Sequence, residues 1–267
     1  MDTSFILNIP AEEYHKASAD GTYLSSHLLG DYRLCPELYH KKITGAITQE
    51  ESTAYHIGRA AHALILEGKT AFDEQYSVSD GPVNPKTGEP FGKSTKTYAD
   101  WLSIQVKDIV STKDYQFIEK LCDAVKRHEE ASKLLAVGEA EGTVRAEYCG
   151  VSCQIRMDYF SPEHGIIDLK TCEDLTWFER DFKRFGYAFQ LAFYRAVLRT
   201  QVKEDVPIHI IAVEKREPYR VGVWRLCDSL LNDAERVNVA AIRRLQESKQ
   251  NNYWPTGYEA VRILNEL

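Results

Sequence analysis

The sequence predicts an α/β fold in which helices flank a central mixed β-sheet. Two observations carry this prediction. Apolar residues recur three and four positions apart in the first half of the chain, as in amphipathic helices. After residue 143, short segments rich in β-forming residues alternate with turns and then with further helical patterns.

In the first half, Ser25-Ser26 precede a short helical pattern, and Cys35-Pro36 starts another. Gly68 should end the longer helix that comes next. The stretch 77–94 contains three prolines and is expected to be a surface loop, of a length that is often functional. The longer helices are predicted over residues 54–66, 98–110 and 115–136.

The second half predicts three neighbouring strands, a helix, two more strands and a long final helix. Gly150 and Ser161-Pro162 separate the first three strands. The predicted strands are 143–149, 151–160, 165–170, 207–213 and 219–226, and the helices are 187–200 and 229–248.

A chain of 267 residues, 43% of them hydrophobic, can bury one large core, so we expect a single domain over residues 1–267. No apolar run approaches the ~18 residues that span a bilayer, and the start lacks a signal-peptide pattern, which predicts a cytoplasmic protein. The net charge of −7 argues against a protein that coats nucleic acid. It leaves room for a nuclease, because such enzymes cluster carboxylates around metal ions.

The six cysteines are scattered, and none forms a C-x-x-C pair. Cys149 and Cys153 stand four apart across a turn, which is only a weak sign of a metal site. We expect reduced thiols that are mostly buried.

Polar residues share one face of two predicted neighbouring strands. In the segment 151–158, apolar residues occupy alternate positions, so Ser152, Gln154, Arg156 and Asp158 lie on the opposite face. In the next strand, 166–170, Asp168 and Lys170 stand on one face and Leu169 on the other. An antiparallel pairing would bring Asp158 beside them.

Two carboxylates at strand ends can hold one or two Mg²⁺ ions, and a neighbouring lysine can stabilise charge in phosphoryl transfer. A D-x-K sequence alone is more often a surface salt bridge. Here Asp168 follows two isoleucines in a run that should be buried, and charges are seldom placed there unless paired or bound to metal.

With these residues in order, the chain resembles the PD-(D/E)xK nuclease superfamily in its RecB-like branch. The resemblance rests on Asp158, on Asp168-Leu169-Lys170, on Gln190 to Tyr194, and upstream on the segment 58–67 around His62. Within that branch the chain is most similar to the RecE-type exonucleases and related phage enzymes, from about residue 23 to 253. Met157 replaces the proline of the motif, but the chemistry resides in the carboxylates.

The resemblance implies that Asp158 and Asp168 bind Mg²⁺, helped by His62 and the Leu169 carbonyl, with Lys170 as the catalytic lysine. A lone histidine in an apolar helix is otherwise usually a core residue. Because imidazole suits Mn²⁺ better than Mg²⁺, manganese should also support activity. The chain lacks the clustered cysteines of some relatives, so no iron–sulfur cluster is expected.

Other site residues are less constrained. The resemblance places Gln190 and Tyr194 near DNA, and Tyr187 shares their helix face, although the tyrosines could simply pack the helix onto the sheet. Glu147 could be an auxiliary carboxylate, or a salt-bridge partner of Arg145 or Arg156. Three further residues could contact phosphate near the DNA end: Arg33, Ser25 and Ser26. Helix capping explains the two serines equally well.

The resemblance further implies 5′ to 3′ digestion of linear double-stranded DNA in a bacterial host, leaving 3′ tails for a single-strand annealing protein. It implies a homo-oligomeric ring, with a tetramer favoured over a trimer. Two alternatives remain open at this point. One is a RecB-like nuclease acting on single strands or flaps, and the other is a non-catalytic module that binds DNA ends.

Overall fold

A computed structural model describes residues 3–47 and 53–263 of the chain. Helices and strands alternate in the order that the sequence predicts, with several additional short elements. The helices are α1 (Ala11–Ala19), α2 (Ser26–Leu34), α3 (Pro36–Ile43), α4 (Thr53–His62), α5 (Gly68–Gln75), α6 (Lys96–Leu102), α7 (Thr112–Arg127), α8 (Glu129–Leu134), α9 (Phe178–Arg184), α10 (Tyr187–Val202) and α11 (Asp228–Asn251). The strands are β1 (Tyr76–Val78), β2 (Asp108–Val110), β3 (Glu139–Tyr148), β4 (Val151–Ser161), β5 (Gly165–Cys172), β6 (Ile208–Glu214) and β7 (Val221–Arg225).

The main sheet has five strands in the order β3-β4-β5-β6-β7. β5 and β6 are parallel, and the other three pairs are antiparallel, so the sheet is mixed as predicted. The helical connection from β5 through α9 and α10 to β6 makes the parallel pairing possible. A separate two-stranded parallel sheet joins β1 to β2.

Each face of the main sheet is covered by a layer of helices. One cluster of buried residues joins the sheet to α2, α10 and α11, through side chains such as Phe193 and Ile242. The other cluster joins the opposite face to α4, α7 and α8, through side chains such as Ile118 and Leu121. Fully burying each such side chain stabilises the fold by roughly 1.5–3 kcal/mol. This gain explains why the helices with an apolar face pack that face onto the sheet.

Gly165 sets the start of β5 against the neighbouring strand. Its φ of +74° is accessible to glycine, and a Cβ atom there would lie 2.2 Å from the carbonyl oxygen of Pro207. The Ile166 amide then donates to the same oxygen at 3.0 Å. This close approach fixes the register that carries Asp168 and Lys170 along β5.

Three predicted helices differ from the structure. The segment 98–110 forms only the short α6, after which the chain turns and enters β2. The segment 115–136 is divided into α7 and α8 at His128, whose extended backbone breaks the helix and whose Nδ1 accepts from the Ala131 amide. Gly68 interrupts the helix before it with a φ of +89°, but α5 continues beyond it.

Several elements were not recognised in the sequence. α1, β1, β2 and α9 are short, and their patterns do not cover a full apolar stripe. In the expected loop 77–94, residues 77 and 78 belong to β1, and Val83 forms an isolated bridge with Pro90.

The remaining general features are the length of the apolar helices and the state of the cysteines. Over the ranges 3–47 and 53–263, no helix is long and apolar enough to cross a membrane. All six cysteines are free thiols, of which Cys122, Cys153 and Cys172 are buried.

Candidate active site

Asp168 is a buried carboxylate in the middle of β5. Its side chain is 1% exposed, and Lys170 Nζ lies 2.8 Å from its Oδ2 atom. Apart from this ion pair, neither carboxylate oxygen has a hydrogen-bond partner in the described part of the chain. Burial raises the pKa of Asp168 to about 6; Lys170 opposes that rise and Asp158 adds to it. When ionised, Asp168 has therefore lost its contacts with water, and the protein does not supply enough hydrogen-bond donors in their place.

Asp158 lies where β4 separates from β5. The regular antiparallel pairing of these strands runs only from Ser161 and Gly165 to Tyr159 and Ile167. Beyond it, the Leu169 amide donates to Asp158 Oδ2 at 2.8 Å, so a side chain takes the place of the next strand contact. The predicted antiparallel neighbour thus brings Asp158 to Asp168.

The alternation of β4 also changes phase beside this separation. Cys153, Ile155 and Met157 pack in the layer of α10, as strand alternation requires. Tyr159 packs in the opposite layer, and Phe160 returns to the first. Such a local irregularity is common next to active sites, because it turns a side chain that regular pairing would direct elsewhere.

His62 reaches the same cluster from a different layer of the fold. Its Nδ1 atom lies 3.6 Å from Asp158 Oδ2, at the end of α4. A π-helical segment, Ala63–Glu67, begins at the next residue. Short π-helical turns within helices often occur at functional sites because they shift the side chains on either side.

Glu141 is a site residue that sequence reasoning missed. It stands in β3 between Ala140 and Gly142, which pair with Tyr159 and Met157 on either side of Asp158. Its φ is +57°, and its carboxylate accepts from Arg156 Nε. Burial raises the pKa of Glu141, and the Asp158 charge adds to that rise. The sequence contained one signal for this residue. If residues 139–148 and 151–161 are paired as a hairpin around Gly150, Glu141 falls opposite Asp158.

Glu147 does not join the cluster. It is exposed and pairs with Ser152, six positions along β4 from Asp158. At about 3.3 Å per residue, that separation is roughly 20 Å. The expected auxiliary role is not supported, because the β3–β4 hairpin pairs Glu147 with Ser152, whereas Glu141, in the earlier part of β3, stands opposite Asp158.

Other polar residues of that strand are used for packing. Gln154 is fully buried, and its Nε2 donates to the Tyr14 carbonyl and lies 2.8 Å from Ser18 Oγ. Arg145 Nη1 lies 3.0 Å from Glu13 Oε1. The polar face that the sequence predicted on β4 is therefore partly covered by α1, and only its Asp158 end belongs to the carboxylate cluster.

Lys170 and Tyr187 form the outer side of the site. Burial lowers the pKa of Lys170, but the charges of Asp168 and Asp158 together outweigh it and leave the pKa above its usual range. Lys170 Nζ lies 4.8 Å from the centre of the Tyr187 ring, a cation–π contact. The lysine is therefore held in its charged form beside the carboxylates.

Tyr194 is 4% exposed, and Gln190 Nε2 lies 3.3 Å from its hydroxyl. Burial raises its pKa, and the charge of Asp158 contributes, which places the hydroxyl near the carboxylates. A bond to Ser26 acts on the same hydroxyl. Tyr194 and Ser26 are thus buried next to the carboxylate cluster, whereas Tyr187 and Gln190 are only half-buried and can be reached by a ligand.

Ser25 and Arg33 lie at opposite ends of α2. Ser25 caps the helix, because its Oγ accepts from the Leu28 amide at 3.3 Å. Arg33 Nη1 donates to Asn238 Oδ1 at 2.5 Å, and its guanidinium lies 4.1 Å from the Phe189 ring. Burial lowers the pKa of Arg33 to about 10. None of these contacts joins Arg33 to the carboxylate cluster.

His27 lies in α2, between Ser25 and Arg33. Although part of its side chain is open to solvent, surrounding protein atoms lower its pKa, and the charge of Lys170 adds to the effect. The charge of Lys170, on the neighbouring strand β5, therefore acts on His27.

The donor set fits a hard divalent cation. A buried carboxylate without hydrogen-bond partners, a second carboxylate and an imidazole are suitable ligands for Mg²⁺ or Mn²⁺. In the described ranges, no three His, Cys, Asp or Glu side chains already stand close enough together to surround an ion. A cation would draw Asp158, Asp168 and His62 inward and neutralise the charge of Asp168.

These features define a class of protein: an α/β chain in which Asp158, Asp168 and Lys170 meet where two strands separate, as in PD-(D/E)xK nucleases. Residues 25–266 match the model of a family described as a PDDEXK-like domain of unknown function, DUF3799, and the chain belongs to this family. The match supports the superfamily that the motifs predicted and does not single out the RecE type.

The fold is also found among solved structures. A protein from Eubacterium rectale, described as a "putative exonuclease", superimposes with a TM-score of 0.69 at 19% sequence identity. The alignment covers 98% of this chain and 96% of that one. No curated protein sequence matches the chain. At this identity the likeness shows the shared fold.

Proposed function

We propose that this protein is a metal-dependent exodeoxyribonuclease that digests linear double-stranded DNA in the 5′ to 3′ direction and leaves 3′ single-stranded tails. One observation carries the nuclease part: Asp168 is buried beside Asp158 and Lys170 with unsatisfied carboxylate oxygens, in a chain of a PDDEXK-like family. A non-catalytic module would have no need to maintain this costly arrangement.

Asp158, Asp168 and His62 would hold the cation, and the Leu169 carbonyl, between the two strand residues, is a further oxygen donor. A divalent ion bound there would supply an acidified water and charge neutralisation at the phosphate. Lys170, kept charged by both carboxylates, would stabilise the negative charge that develops on the phosphoryl group. The Leu169 amide orients Asp158, so the ligand is positioned before substrate binds.

The exonuclease part of the proposal rests on similarity. The solved structure that shares this fold is described as an exonuclease, and the motifs resemble RecE-type enzymes. The same resemblance supports a homo-oligomeric ring, a tetramer before a trimer, around the DNA end and a single-strand annealing protein as partner. Measurement of the native mass would check the ring.

Digestion of three DNA forms would test the reaction. With Mg²⁺, and in parallel with Mn²⁺, we expect linear duplex to be degraded while nicked and closed circles persist. End-labelled duplexes would give the polarity, because 5′ to 3′ digestion releases a 5′ label first. Equal attack on circles would refute an exonuclease, and preference for flaps or single strands would favour the RecB-like alternative. Absence of cleavage with either metal would refute a nuclease and favour the alternative of a non-catalytic module that binds DNA ends.

A further inference from the structure

A surface of exposed aromatic and basic residues extends outward from the catalytic lysine along α9. It comprises Trp177, Arg180, Lys183, Arg184 and Phe185, and is called here the α9 surface. Trp177 is 52% exposed and Phe185 is 58% exposed. Large exposed aromatic side chains in such density on one short segment are unusual on a soluble protein and indicate binding.

Each exposed ring is associated with an arginine. The Arg180 guanidinium lies 4.9 Å from the Trp177 ring, and that of Arg184 lies 5.5 Å from the Phe185 ring. Aromatic faces combined with cations stack on bases and attract phosphates, and this is how proteins hold single-stranded nucleic acid without sequence preference.

The charge of the surface fits a polyanion. Residues 177–185 carry three basic and two acidic side chains, although the whole chain has a net charge of −7. Glu179 accepts from Trp224 Nε1, and Asp181 lies 3.5 Å from Arg180. In the ranges that the structure describes, Lys183 and Arg184 have no carboxylate within ion-pair distance, so their charge faces solvent.

The surface is continuous with the active site. The Phe185 ring lies 5.7 Å from the Tyr187 ring, and Tyr187 in turn lies 4.8 Å from Lys170 Nζ. At a helical rise of about 1.5 Å per residue, the eight steps from Trp177 to Phe185 span roughly 12 Å. The rings could therefore contact more than one nucleotide of a strand whose phosphate lies at Lys170.

α9 itself is firmly seated. Phe178 is 2% exposed and packs on Trp224 with 4.6 Å between ring centres, while Phe182 packs on Tyr187. The inward rings anchor the helix, and the outward rings are not needed for the core. Substitution of Trp177 or Phe185 should therefore leave the fold intact.

From these contacts we infer that the α9 surface binds unpaired nucleotides of the DNA strand next to the scissile phosphate, by stacking bases on Trp177 and Phe185. This inference rests on the proposed function for its substrate, but it concerns a surface outside the carboxylate cluster. The expected ligand is single-stranded DNA, because unpaired bases can stack on the exposed rings while the arginines beside those rings attract the phosphates of the same strand.

The test measures binding of a labelled oligothymidine to the full-length protein in EDTA, where metal-dependent cleavage cannot occur. Trp177→Ala and Phe185→Ala should each weaken binding roughly tenfold, as loss of one base–aromatic stack does. Trp177→Phe should bind within about twofold of the unaltered protein, because it keeps a ring. Tyr258→Ala is the matched control, since Tyr258 is 73% exposed and lies under Arg262 at 4.0 Å outside α9; its binding should not change.

Tryptophan fluorescence gives a second readout. Stacking on Trp177 should quench emission when the oligonucleotide is added, and the quenching should be smaller in Trp177→Phe than in the unaltered protein. Unchanged affinity of both alanine variants, or quenching that persists fully without Trp177, would overturn the inference. A change in native mass with unchanged DNA affinity would do the same, by showing that a second copy of the chain covers the surface.

The result is separable from the proposed function. Lys170→Ala should lose cleavage, while Trp177→Ala should weaken oligothymidine binding by the same factor in the Lys170→Ala background as in the unaltered protein. The α9 variants should retain hydrolysis of a small phosphodiester such as bis(p-nitrophenyl) phosphate. Cleavage by the unaltered protein with no binding loss in the α9 variants refutes only this inference. Binding loss in those variants with no cleavage by any form refutes only the nuclease.

Discussion

Two buried carboxylates on neighbouring parallel strands have opposite properties. Asp168 on β5 and Glu214 at the end of β6 are each 1% exposed. Glu214 accepts from Arg220 at 2.7 and 2.8 Å, from Arg216 at 3.2 Å and from the Leu175 amide at 3.4 Å. Asp168 has a single ion pair and no directed hydrogen bond within the described residues.

The pKa values follow from the donors. Hydrogen bonds, from Arg220 above all, lower the pKa of Glu214 to about 2, whereas burial raises that of Asp168 to about 6. Glu214 therefore stabilises the link between β6 and the chain before α9, and Asp168 costs stability. The difference teaches that burial alone does not mark a site; an incompletely satisfied charge does.

The strongest way to test this contrast is Asp168→Asn. We expect DNA cleavage to fall by about 10³-fold or more, because the variant loses an anionic ligand at the reacting phosphate. The midpoint of thermal unfolding should stay close to that of the unaltered protein, because the amide removes a poorly solvated charge. Glu214→Gln is the control and should keep its cleavage rate; loss of cleavage in both variants would contradict the separation.

Metal binding should stabilise only the site that lacks donors. Added Mg²⁺ or Mn²⁺ should raise the unfolding midpoint of the unaltered protein, because metal at a hundred times the dissociation constant adds about 2.7 kcal/mol to the free energy of unfolding. Asp168→Asn should show little shift, while Glu214→Gln should respond normally. Differential scanning fluorimetry with and without EDTA measures this, and equal shifts in all three proteins would place the metal elsewhere.

Glu214→Gln should destabilise the fold by about 2 kcal/mol at neutral pH, the usual contribution of hydrogen bonds to a charged group. Because the folded pKa is lowered, this stability is present above pH 4.5 and is lost as pH falls toward 2. Denaturant unfolding from pH 7 to pH 2 should therefore show the two proteins converging in acid. A constant difference across that range would mean that packing, and not ionisation, carries the effect.

The smallest expected effect separates two glutamates of β3. Glu141→Gln should reduce cleavage roughly tenfold, as the loss of an outer carboxylate beside a metal ligand does. Glu147→Gln should leave the rate unchanged, because it lies six positions away along the strand. Initial rates on linear duplex at saturating Mg²⁺ decide this, and an effect at Glu147 alone would reverse the assignment.

The sequence alone predicted the fold class and the central motif. Alternation in 151–158 and 166–170, with Asp168 after two isoleucines, was enough to place Asp158, Asp168 and Lys170 on adjacent strands. α10 and α11 were predicted within three residues at each end, whereas α7, which has 16 residues like α10, was predicted to run on through α8. Local periodicity locates a long element with one buried face, but it does not detect a single extended residue such as His128 inside a helical pattern.

Only the tertiary structure decided which partners surround those residues. Glu141, not Glu147, reaches Asp158 because β3 begins at residue 139 and its backbone is irregular at 141. His62 contacts Asp158 although the two residues are 96 positions apart in the sequence. Tyr187 contacts Phe185, which connects the site to the end of α9. Such contacts depend on register and layer packing, which local sequence patterns do not encode, because they arise between elements that are far apart along the chain.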